Sequence, residues 1–136
     1  MNITEAFPRN FNIEKKFKDK YNELEREGIF EESSHLEVFL NAMAIGWYHG
    51  IREPLDKSYP LVNTDSIDKD KAWLVASISV AEEDISVLND FTRVRKIADE
   101  YANGGFPILL DRLKSGMNRK NIKELLRDMH SIIEEL

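Results

Sequence analysis

The chain contains no cysteine. That excludes disulfides, thiolate metal sites, a cysteine nucleophile, and iron–sulfur or sulfur-carrier chemistry on its own side chains. Proline is scarce, at four residues, and there are only six glycines. Both fall at points of punctuation rather than in a linker. No apolar run approaches the ~20 residues a membrane span needs. The stretch from Met1 to Lys20 lacks the basic-then-apolar order of a secretory signal, so a soluble cytoplasmic protein with no membrane contact is expected. Internal repeats and low-complexity tracts are missing. So are the nucleophile elbow G-x-S-x-G, the phosphate loop G-x-x-x-x-G-K-[ST] and the dinucleotide fingerprint G-x-G-x-x-G.

What is present suits an ordinary core. The 136 residues are 42% hydrophobic and 32% charged, with seven Phe, four Tyr and two Trp. About 100–200 residues form one domain, and a chain of this size buries roughly two-thirds of its unfolded surface. The net charge is −6.

Apolar spacing predicts a mainly α fold, a single compact domain of five or six helices over residues 12–136, after a loose leader at 1–11. Ile13, Phe17, Tyr21 and Leu24 step at helical pitch, with Asn12 as a cap and Gly28 as a stop. Ser33 and Ser34 precede a second helix from His35 to Tyr48, with Glu37 completing a capping box. That helix is apolar nearly all round, so it is expected at the centre. Gly46 inside it costs about 1 kcal/mol against Ala, and close packing of another element is one compensation.

Gly50 to Asp65, with Pro54 and Pro60, reads as a long irregular loop anchored by Leu55, Tyr59, Leu61 and Val62. A third helix is expected from Ser66 to Ala81, capped by Ser66 or Asp68, although Trp73 to Val80 also alternates like a strand. Ile85 to Ala102 reads as one or two helices, ended by Asn103-Gly104-Gly105. Pro107 then starts a short helix closed by Ser115-Gly116. From Asn118 a last helix carries Ile122, Leu125, Leu126, Met129, Ile132, Ile133 and Leu136 on one stripe, which packs on the domain or on a second chain.

Polar residues offer few chemical constellations. His35, His49 and His130 have no second His at a zinc-pair spacing. His130 and Glu134 can share a helix face as a surface ion pair. The tandem acids Glu31-Glu32 and Glu82-Glu83-Asp84 read as solvated charge. Gly104-Gly105 either precedes a helix N-terminus able to hold an anion, or Asn103 and Gly104 are the left-handed stop of one helix and Pro107 the start of the next. No metal, cofactor or catalytic residue is expected.

Two basic groups stand out. One is Arg93, Arg95 and Lys96. The other comprises Arg112, Lys114, Arg119, Lys120, Lys123 and Arg127, interleaved with Asp111, Glu124 and Asp128; Arg112, Lys114, Arg119, Lys120 and Lys123 are its candidates for DNA phosphates. Trp47, Tyr48, His49, Arg52 and Glu53 form the most unusual cluster. They make either a surface for a protein partner or a core edge with a local Arg52–Glu53 pair.

Two stretches carry a family resemblance. The first runs Val38-Phe39-Leu40-Asn41-Ala42-Met43-Ala44-Ile45-Gly46-Trp47-Tyr48-His49-Gly50-Ile51-Arg52-Glu53-Pro54-Leu55. The second runs Glu100-Tyr101-Ala102-Asn103-Gly104-Gly105-Phe106-Pro107-Ile108-Leu109. Together they resemble the Dnd-system-associated accessory family, small proteins encoded beside DNA phosphorothioation operons. The resemblance implies a bacterial or archaeal setting, near machinery that places sulfur in the DNA backbone or restricts unmodified DNA. It carries over no catalytic residue. The expected role is a non-enzymatic accessory protein of DNA modification or phage defence, bound to a protein partner or to itself as a dimer. The alternative is a DNA-binding regulator using the C-terminal basic group.

Overall fold

The computed structural model describes residues 2–28, 34–114 and 127. Four α-helices and one two-stranded antiparallel sheet form the fold among these residues. They are β1 (Asn10–Glu14), α1 (Lys18–Glu27), α2 (His35–His49), β2 (Ser58–Asn63), α3 (Lys69–Glu82) and α4 (Phe91–Lys114). Short 3-10 turns lie at Ile3–Glu5, Lys15–Phe17 and Ile85–Asn89.

The central helix is where its composition puts it. Ten of the residues of α2, from Leu36 to Gly46, are buried. Ser34 Oγ accepts the Glu37 backbone N–H at its start, and Gly50 ends it in the left-handed region at φ 67°. The Glu37 carboxylate pairs with Lys71 Nζ of α3 at 2.6 Å. Asp68 caps α3 through the Lys71 N–H. Gly28 closes α1 at φ 62°.

Helix α4 lies along α2 with backbone against backbone. A Cβ on Gly46 would sit 2.0 Å from the Tyr101 carbonyl oxygen, and one on Gly105 would sit 1.9 Å from that of Ala42. Gly104 meets the carbonyl of Ile51 in the same way, at 2.3 Å. The close packing expected at Gly46 is therefore present, and its other half is the Gly104-Gly105 pair. This corrects the reading of Asn103-Gly104-Gly105 as a helix end. The helix runs on through Pro107, although a proline inside a helix removes one backbone bond and crowds the preceding turn. Merging those two expected helices is one reason the described residues contain four rather than five or six. The last helix, with Ser115-Gly116, Asn118 and the His130–Glu134 pair, lies outside the described residues, as do Ser33 and Glu31-Glu32.

The N-terminal reading is also corrected. Residues expected as a loose leader are packed: Ile3 is buried, and Phe11 is fully buried and stacked on Phe39 with ring centroids 4.5 Å apart. Phe11 and Ile13 alternate with Asn10, Asn12 and Glu14, which is strand periodicity. Asn12 accordingly lies in β1 rather than capping a helix. The supposed loop from Gly50 to Asp65 supplies the partner strand, with Phe11 opposite Val62 and Glu14 opposite Ser58. The register shifts between Phe11 and Ile13, opposite Pro60 and Leu61. Proline cannot donate to a ladder, and an irregularity is where a sheet tolerates it.

Aromatic rings tie these elements together. Tyr21 of α1 stacks on Phe106 of α4 at 4.5 Å, and Phe7 meets both Phe11 and Phe91 edge to face. No described helix is long and apolar enough to cross a membrane.

Phe11→Ala is expected to cost about 3–5 kcal/mol in equilibrium denaturation, the usual cost of emptying a buried phenylalanine site. A loss under about 1 kcal/mol would restore the loose leader.

Candidate functional site

Helix α4 has two faces of opposite character. Val94, Ile97, Ala98, Tyr101, Ala102 and Phe106 are buried toward the core. Thr92, Arg95, Lys96, Asp99, Glu100 and Asn103 recur three or four residues apart on the other side. That polar face runs beneath β1 and the irregular segment after α2.

The segment is held by scattered bonds, most of them to side chains, rather than by a ladder. Glu53 N–H donates to the Glu100 carbonyl at 3.1 Å. Asn103 Nδ2 donates to the carbonyls of Glu53 and Pro54 at 3.1 and 3.2 Å. The Glu14 carboxylate accepts the N–H groups of Asp56 and Lys57 at 2.9 and 3.2 Å. Irregular backbone near a core needs such partners, because an unpaired peptide group is costly there.

Arg52 fastens the same segment to two helices. Its Nε donates to Glu100 Oε1 at 2.7 Å and its Nη1 to Glu82 Oε1 at 3.1 Å. Tyr101 Oη donates to Glu82 Oε2 at 2.5 Å, and the guanidinium lies over the Tyr101 ring. Burial opposes the Arg52 charge, but the bonds to both carboxylates outweigh it and raise its pKa above the usual value. Burial and the Glu82 bond push the Tyr101 phenol up to about 12, so it stays a donor. Glu82 is thus engaged rather than simply solvated, and Glu83 pairs with Arg93. The expected Arg52–Glu53 pair is replaced by these longer-range bonds.

The five residues expected at a partner surface are placed differently from one another. Trp47 packs half-buried on the core, Arg52 is engaged as above, and Glu53 is exposed while its backbone is bonded. Tyr48 is 59% exposed and sits edge to face on His49. Arg112 Nη2 of α4 reaches His49 Nε2 at 2.6 Å, and since guanidinium only donates, that nitrogen accepts. The structure therefore joins part of the aromatic cluster to part of the C-terminal basic group. Of that group, Arg112 and Lys114 are in α4, whereas Arg119, Lys120 and Lys123 lie outside the described residues. His35 Nε2 bonds Asn22 Oδ1 at 2.8 Å, tying α2 to α1.

A polar cleft of about 580 Å³ opens between α4, β1 and the held segment. Asp99 lines it at 5% exposure and accepts from Asn12 twice, from the backbone N–H at 3.0 Å and from Nδ2 at 3.2 Å. Burial pushes the Asp99 carboxyl up to about 7, against the Asn12 bonds and the nearby Arg95 charge, which hold it down. Nothing in the sequence singled out Asp99, because its burial depends on strands distant in the chain. Among the described residues no three His, Asp or Glu side chains group as metal ligands.

A family model for DNA sulphur modification system-associated protein 4 matches residues 12–133. No curated protein and no solved structure matches the chain.

The raised Asp99 pKa has a signed consequence. The folded state binds the Asp99 proton more tightly than the unfolded state, so this group's contribution to stability is complete below about pH 4. It is lost as pH rises through about 7. Asp99→Asn mimics the protonated form. Between pH 4 and pH 8 the variant should therefore gain at least about 1.4 kcal/mol relative to the parent, the equivalent of one pKa unit. Denaturant titrations at both pH values check this, and a constant difference would contradict it.

Proposed function

We propose that this chain, which belongs to the DNA sulphur modification system-associated protein 4 family, serves that system as a non-enzymatic accessory protein that binds a protein partner. The surface at the C-terminal end of α2 carries the reading. It presents an exposed tyrosine, Tyr48, beside the His49–Arg112 pair. Tyrosine and arginine are among the residue types that dominate the energetics of protein interfaces. Trp47 supports this surface from the core edge, which limits the ordering needed on binding. The net charge of −6 opposes general attraction to a polyanion and so favours a protein as partner. The partner is another component of the system or a second copy of this chain, and the proposed role extends to phage defence.

The test is sedimentation velocity on the purified chain, alone and mixed with purified proteins of the system. The expected result is a complex that Tyr48→Ala combined with Arg112→Ala weakens at least tenfold, with the melting temperature unchanged. A monomer in every mixture would contradict the reading. If the chain instead retains duplex DNA in a gel shift that falls steeply with salt, the basic group is the working surface and the DNA-regulator reading replaces this one.

A further inference from the structure

The cleft beside Asp99 lies apart from the Tyr48 surface, and the proposed partner contact does not use it. Its charges are unevenly committed. Arg93 is paired with Glu83, Glu100 with Arg52, and Asp90 accepts the N–H of Arg93 at the start of α4. Among the described residues Arg95 and Lys96 have no such partner, and they line the cleft side by side in α4. Arg95 acts on Asp99 through its charge. Thr92 and Ser58 add hydroxyl donors, while Pro54 and Leu55 form an apolar lip opposite. The volume lies within the roughly 300–1,000 Å³ typical of small-molecule sites. Two cations beside hydroxyl donors match the charge and bonding of a phosphate group. An apolar lip within the same cleft suits a flat organic moiety attached to it.

We propose that this cleft binds a phosphate ester of nucleotide size, with its phosphate on Arg95 and Lys96 and its organic part against Pro54 and Leu55. The walls are already assembled: Glu14 and Asn103 hold the segment that carries the lip, and Asn12 holds Asp99. The site therefore needs little reorganisation to load. Asp99 is the selective element, since above pH 7 its carboxylate in the cleft wall repels a second negative charge deeper in the cleft. The phosphate is consequently confined to the rim.

Calorimetric titration of the full chain at pH 8 tests this with a purine 5′-mononucleotide, inorganic phosphate and a short 5′-phosphorylated single-stranded oligonucleotide. The mononucleotide or the oligonucleotide should bind at least tenfold tighter than inorganic phosphate. Arg95→Ala combined with Lys96→Ala should weaken that binding at least tenfold while far-ultraviolet circular dichroism shows the fold retained. Asp99→Asn should strengthen it severalfold. Tighter binding of the oligonucleotide assigns the ligand to a DNA end, and tighter binding of the mononucleotide assigns it to a free nucleotide; both uphold the site. No heat with any probe at millimolar concentration would overturn the proposal. So would binding unaffected by the double substitution, or equal affinity for inorganic phosphate.

Discussion

Helices α2 and α4 cross where neither has a side chain, and the rest of the molecule is arranged around that contact. Gly46 receives the carbonyl of Tyr101, and Gly105 receives that of Ala42. Any Cβ at those places would overlap a backbone oxygen, which no rotamer change can relieve. Three glycines in helix interiors each cost about 1 kcal/mol in propensity. What they permit is close packing of two long surfaces, where dispersion contacts are most numerous. Once the helices are this close, the buried side chains flanking them share one core with α1, α3 and the sheet.

The crossing also positions the polar features. Helix α2 is terminated at Gly50 directly beside α4, since Ile51 lies against Gly104. The chain then has to travel along the polar face of α4, and Arg52, Glu53 and Pro54 take their partners from Glu100 and Asn103. The cleft is the space left beside this strap, and Asp99 is buried because β1 and the strap cover it. At the other side of the crossing, the last turn of α4 brings Arg112 to His49. One backbone contact thus sets the relative placement of the cleft and of the Tyr48 surface.

Much of the helical framework was legible from local chemistry. The apolar run of α2, its Ser34 cap and its Gly50 exit all act within a few residues, as do Asp68 at α3 and Gly28 at α1. The strands were not legible. Ile13, Phe17, Tyr21 and Leu24 satisfy helical spacing, while Phe11 and Ile13 satisfy strand spacing, and only the distant β2 decides between them. Gly104-Gly105 is ambiguous for a related reason. A glycine pair before proline has the same local chemistry whether it stops a helix or admits another one, and here Ala42 across the core is what settles it. The candidate site divides likewise. Tyr48 and the cations of α4 stand out in the sequence, whereas Asp99, Asn12 and Glu14 gain their roles from contacts between segments far apart in the chain.

Close backbone contact between the two helices is what lets the hydrophobic core assemble. Equilibrium denaturation of Gly105→Ala tests it most directly. Helix propensity alone favours the substitution by about 1 kcal/mol. A loss of at least about 2 kcal/mol is nevertheless expected, because the added methyl group must displace the Ala42 carbonyl or part the helices. A variant as stable as the parent, or more stable, would contradict it.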